Sequence, residues 1–227
     1  MPILKVLLND IEAELEIVKR KQRTEVEDVD LWRGKAGHKP RFSTTETWMQ
    51  IRETGVKYTW GGSIWFSQAT PKFAFITWIA ARGRLATMDR ISRWNPGVDS
   101  TCVLCKVFQE TTNHLFFECV YSSGIWEKLV KGILGNAYAY KWDEVTELIS
   151  VSSRGKMKRF CLRYAFQITV YMLWRERNKR RHGESPMPQH VLVKMIDKAI
   201  RNKLSLVQMK GIKGMNFSLQ YWFETRE

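Results

Sequence analysis

Three cysteines and a histidine fall within eighteen positions, as Cys102-x2-Cys105-x8-His114-x4-Cys119. No other feature constrains the chain so strongly. Zn²⁺ is satisfied by four soft or borderline ligands in a tetrahedron, and three thiolates with one imidazole make a closed, structural set. The two-residue gap lets one tight turn aim Cys102 and Cys105 at a single point. Residues Asn113 to Phe117 read as helical, capped by Thr111 or Thr112, and return His114, with Cys119 just over one turn later. A catalytic zinc keeps one position open for water. Here Cys102, Cys105, His114 and Cys119 fill all four, so the expected cofactor is one structural Zn²⁺ and no catalytic residue is assigned. Folding and binding are one free energy at such sites, of order 10 kcal/mol, so the surrounding segment is expected to unravel without metal. His38, His182 and His190 have no cysteine or carboxylate arrangement around them and read as surface residues. Cys161, alone among apolar residues, reads as a small buried hydrophobe.

The rest of the chain reads as mostly α. Hydrophobic residues are 44% of 227, with ten Trp and eleven Phe, enough for a real core. Apolar residues recur at helical spacing from Ile3 to Arg20, with Glu12, Glu14 and Glu16 between them. Gly34 to Pro40 reads as a loop, Phe42 to Ile51 as a short helix capped by Ser43 or Thr44, and Gly55 to Gly62 as a break. Pro71 opens a helix that is apolar nearly all round from Phe73 to Ala81 and is expected to be the buried centre. Thr87 caps a short helix through Met88, Ile91 and Trp94, and another runs through Trp126, Leu129 and Ile133 to Gly132 or Gly135. Lys156 to Arg181 and Val191 to Met209 are long helices separated by Gly183 to Pro188. No apolar run approaches the ~18 residues of a membrane span, and the opening Met1-Pro2-Ile3-Leu4-Lys5 lacks the pattern of a secretory signal. The expected location is therefore intracellular, nucleus or cytoplasm.

At this point the sequence resembles the zinc-binding domain that follows the reverse transcriptase in plant LINE-type (non-LTR) retrotransposons. The resemblance is carried by Phe42-Ser43 with Trp48, Trp65, Pro71-Lys72-Phe73-Ala74-Phe75 with Trp78, and Gly83 through Arg90. It continues in Cys102-Val103-Leu104-Cys105, Glu110 through Cys119, and Trp126. Trp174-Arg175-Glu176-Arg177-Asn178 is also similar to sequence found downstream in such polyproteins. Two positions depart from the family: Lys106 stands where Gly is usual after the second cysteine, and Ala86 where Pro is common. The resemblance implies a zinc-binding, nucleic-acid-associated accessory domain at residues 42–130, after an N-terminal helix and connector (1–41) and before a basic helical region (131–227). It carries no polymerase across. A reverse transcriptase needs paired aspartates for two metal ions, and no Asp-Asp pair occurs in the chain.

Charge points the same way. Lys and Arg number 37 against 23 acids, a net +14 that favours polyanions. From Arg154 to Arg181 there are ten basic residues and one acid, Glu176. Phe160, Tyr164, Ile168, Tyr171 and Trp174 recur among them at helical spacing and read as core rather than as a base-stacking platform. The expected phosphate contacts are Arg175, Arg177, Lys179, Arg180 and Arg181, with a second cluster of Arg82, Arg84, Arg90 and Arg93 joined by Lys106. RNA or DNA is thus the expected partner, and no membrane is. The competing expectation is a zinc-stabilised protein-interaction module, suggested by the Trp and Phe content. An enzyme is the weakest reading: Glu25, Glu27, Asp28 and Asp30 form the only dense carboxylate group and read as a solvated stretch.

Overall fold

A computed structural model describes residues 9, 11–17, 31–34, 37–52, 58–151 and 153–226. It divides into two compact units, Met1–Val56 and Lys57–Glu227. In the first, residues 11–17 are helical with Ile11, Leu15 and Ile17 exposed. Asn9 is helical as well, and the other residues of the helix expected from Ile3 to Arg20, with the acids from Glu25 to Asp30, lie outside the described residues.

The loop expected over Gly34 to Pro40 is instead a small hairpin. Strand β1 (Trp32–Gly34) pairs antiparallel with β2 (Gly37–Lys39), Trp32 opposite Lys39. Glycine at 37 supplies a φ of +112° that a side chain would oppose. Helix α1 (Thr44–Ile51) follows, and Ser43 caps it as expected, accepting from the Glu46 N–H at 3.3 Å. An edge-on contact of Trp32 with Phe42 and the Lys39–Glu46 ion pair tie the hairpin to this helix.

The second unit begins with the short helix α2 (Gly61–Ile64), which overlaps the end of the expected break, and then α3 (Pro71–Ala81), opened by Pro71. Next come α4 (Met88–Ile91), α5 (Val120–Leu134), α6 (Trp142–Ser150), α7 (Lys156–Arg181), α8 (Gln189–Met209) and α9 (Ser218–Glu224). The core runs along α7, whose Phe160, Tyr164 and Ile168 are buried. Leu192, Ile196, Ile200 and Leu204 recur along the buried side of α8 and belong to the same core. Residue 130, the expected domain boundary, falls within α5, and buried residues on both sides of it share this core. At the other end of the chain Arg226 donates to the carbonyls of Lys128 and Leu129. A Cβ at Gly132 would meet the Thr225 carbonyl oxygen at 2.2 Å, so the bare backbone of α5 is what admits the C-terminal segment.

One expectation is corrected. Helix α3 is not buried all round: it presses Phe73, Ala74, Thr77 and Ala80 inward, while Phe75 is 51% exposed. The reason is that α7 covers only one side of it. Phe73 meets Tyr164 and Tyr171 of α7 at ring-centre distances of 6.0 and 4.8 Å.

Candidate metal centre

The four ligands arise from two local structures. In the first, a short metal hairpin separate from β1–β2, Thr101 bridges Gln109 antiparallel, and the Cys102 N–H donates to the Phe108 carbonyl at 2.7 Å. The Lys106 N–H returns to the Cys102 carbonyl at 2.7 Å, closing a knuckle that carries Cys102 and Cys105 on one side. Lys106 adopts φ +58°, the left-handed region, at the position where glycine is the unstrained residue. The knuckle is therefore formed without glycine, at a cost of about 1–2 kcal/mol.

The second is a π-helical turn, His114–Glu118. Thr111 caps it, its hydroxyl accepting from the His114 N–H at 3.0 Å, and the Cys119 N–H donates to the His114 carbonyl at 2.7 Å. α-Helical winding would carry the fifth residue about 140° around the axis. The i→i+5 bond instead stacks Cys119 against His114. Phe116 and Phe117 anchor this turn in an aromatic cluster with Trp126, Trp142 and Phe166, at ring distances from 4.9 to 5.9 Å.

Cys102, Cys105, His114 and Cys119 bring their four ligand atoms within 4.8 Å of one another. The Cys105 Sγ lies 3.3 Å from His114 Nε2. Bonds of 2.3 Å to sulfur imply a tetrahedron edge of about 3.8 Å, so the set fits a zinc ion. A hydrogen bond with Cys119 draws the Cys102 thiol down to about 5, and the same bond together with burial pushes Cys119 up. A bound metal would displace the protons of these thiols. With all four positions taken by side chains, the ion would supply folding energy and hold the hairpin against the π turn. Cys161 stands apart from this chemistry: it is fully buried, and desolvation lifts its thiol to about 12. His38, His182 and His190 are exposed.

Directly behind the hairpin lies a buried ionic network. Glu110 is 0% exposed; its Oε1 accepts from the Met88 N–H at 3.0 Å and from Arg177 Nη2 at 2.7 Å. Arg177 also reaches the Ala86 carbonyl and lies 4.9 Å over the Trp174 ring. One turn on, Glu176 accepts from Arg180 Nε at 2.7 Å and from the Met187 N–H at 2.8 Å. Arg180 stacks 4.4 Å over Tyr121 and donates to the Leu104 carbonyl, between the first two ligands. The end of α7 is thereby locked to the knuckle. Sequence reasoning missed this role of Glu110, Glu176 and Arg180. The available signal was that Glu176 is the lone acid among ten bases, as expected of a partner rather than of a solvated face.

Two of the expected phosphate contacts are corrected accordingly. Arg177 and Arg180 point inward and spend their donors on carboxylates and carbonyls. Arg175 and Arg181 remain exposed, and Lys179 pairs at the surface with Glu184. Arg84 and Arg93 are also exposed, while Arg82 and Arg90 are half-buried. Arg90 and Arg93, with Asp89 beside them, border an open cavity of about 500 Å³ that Thr111, Thr112 and Asn113 also line, at the start of the ligand turn. Arg90 and Arg93 thus border the ligand turn, and Arg180 reaches the knuckle.

Residues 42–126 match the family described as zinc-binding in reverse transcriptase. All four ligands fall inside the match. The zinc-binding segment of this family is an accessory to the catalytic part and not the polymerase itself. Comparison with curated proteins and with solved structures gives no match. Among the described residues no helix is long and apolar enough to cross a membrane.

Proposed function

We propose that the chain is a zinc-stabilised accessory module of a plant LINE-type retrotransposon polyprotein, binding RNA or DNA through phosphate contacts and having no polymerase activity of its own. The observation that carries this reading is the convergence of basic residues on the metal hairpin. Glu110 and Glu176 hold Arg177 and Arg180 behind it, while Lys106, Arg93 and Arg181 stay exposed around it. Cations in that position meet a sugar–phosphate backbone without reading its sequence, and each contact releases counterions.

The test is metal analysis by native mass spectrometry together with a salt titration of binding to a labelled single-stranded oligonucleotide. One zinc per chain and an affinity falling steeply with salt are expected. Primer extension by the purified protein is expected to be nil. A second reading, a zinc-stabilised protein-interaction module, is favoured by the groove where Met172, Met187, Leu192 and Met195 lie beside the charged side chains of α7. Binding of a protein partner with little salt dependence would bring that reading forward.

A further inference from the structure

The exposed side of α3 holds a run of π faces broken by a cation. Tyr58 stacks on Trp60 at 4.7 Å and 26°, and Phe75 stacks on Trp78 at 6.1 Å and 27°. The Arg82 guanidinium joins the two pairs, 5.0 Å over Tyr58 and 5.9 Å over Trp78. Phe75, Trp78 and Arg82 share this face because they lie three and four positions apart on or just past α3. One turn before Phe75, Lys72 lies 5.5 Å over the Tyr171 ring, which Arg175 also approaches at 5.9 Å. None of Lys72, Arg82 and Arg175 comes within ion-pair distance of an acid among the described residues. Yet Phe75 and Tyr58 leave 51% and 42% of their surface in solvent.

We propose that this face of α3 is a stacking platform for single-stranded nucleic acid. The assignment rests on the nucleic-acid reading above and names the form of the ligand. Solvent-exposed aromatic rings in a cluster are costly unless something covers them. Flat rings alternating with unpaired cations suit a ligand whose bases are planar and whose backbone is anionic. A duplex hides its base faces within the stack, so only an open strand can use the rings. The same cations oppose an acid-free apolar protein surface, which would strip their water without replacing it.

The experiment compares the full chain, zinc-loaded, with the double variant Tyr58→Ala/Phe75→Ala. Fluorescence anisotropy would follow binding to a 20-nucleotide oligo(dT) and to a 20-base-pair duplex. Both side chains are exposed, so zinc content and circular dichroism should be unchanged. Stacking is worth ~1–3 kcal/mol per base, so single-strand affinity should fall by roughly tenfold or more. Duplex affinity and the salt slope should stay the same, because ring contacts release no counterions. Phe75→Tyr should retain wild-type affinity. Unchanged oligo(dT) binding by the double variant, or an equal loss on both ligands, would overturn the platform and leave the phosphate-binding reading standing. If the wild-type protein itself shows no salt-dependent binding to either ligand, both fall together.

Discussion

Arginine against an aromatic ring occurs both at the end of α7 and on the outer face of α3, and the two places use it differently. At the end of α7, Arg177 over Trp174 and Arg180 over Tyr121 are buried, each with a carboxylate at 2.7 Å. On α3, Arg82 lies over Tyr58 and Trp78 at similar distances with no acid beside it among the described residues. Removing an ion from water costs several kcal/mol unless a partner and further hydrogen bonds replace the hydration. The carboxylate therefore decides which arginine turns inward to brace the metal hairpin and which keeps its charge available. Ring contact alone distinguishes nothing.

The strongest way to break this contrast is to remove the metal. If zinc holds the hairpin, Cys105→Ser or exhaustive chelation should lose the ion and much of the helical circular dichroism, against a binding energy of order 10 kcal/mol. Native mass spectrometry and circular dichroism would show it, and acidification should act likewise, since protons compete for the thiolates. A metal-free protein with an unchanged spectrum would be incompatible with the contrast.

A smaller effect separates the two arginines directly. Arg177→Ala leaves Glu110 buried without its cation, so a loss of about 3–5 kcal/mol and a melting point lower by on the order of 10 °C are expected. Arg82→Ala should cost no more than about 1 kcal/mol of stability. Thermal melts of both, side by side, check the ranking.

Smaller again is the effect of the outer residues of the α7 cluster. Lys179→Gln with Arg181→Gln, keeping Arg180, should leave the melting point unchanged and reduce the single-strand salt slope by about 1.4. An unchanged slope would mark these two side chains as a merely soluble face. The least effect is expected from Lys106→Gly, which relieves the left-handed residue in the knuckle. A gain of ~0.5–1 kcal/mol in the melt is expected, the relief of strain being partly offset by the extra freedom of glycine in the unfolded chain.

Much of this was readable from the chain. The ligand spacing pointed to the metal set, Pro71 and the run from Lys156 to Arg181 gave helix limits that the structure keeps, and of the two glycines expected to end α5 the structure uses Gly135. Helix α6 was legible but passed over: Trp142, Val145, Leu148 and Ile149 repeat at three- and four-residue steps after an acidic first turn. The π turn had no signal, because five-residue spacing between His114 and Cys119 fits a loop equally well. The direction of each arginine was only partly legible, through the lone acid Glu176 four positions before Arg180. Arg177 and Arg180 differ from Arg175 and Arg181 in sequence by nothing except helical phase, and their acids sit 67 and four residues away. The exposed side of α3 was concealed for the opposite reason, since hydrophobicity all round a helix normally means burial.

The separation of 67 positions between Glu110 and Arg177 also sets an order of events during synthesis. At ~5–20 residues per second the ribosome delivers Arg177 roughly 3–13 s after Glu110. For most of that interval all four metal ligands have been synthesised, while the carboxylate behind them has no cation to meet. The hairpin can capture zinc in that window, but its brace arrives only with the end of α7. Arg226, which reaches back 98 residues to the Lys128 carbonyl, comes later still. A nascent chain stalled before Arg177 would thus present its metal ligands on an unbraced scaffold, open to proteolysis.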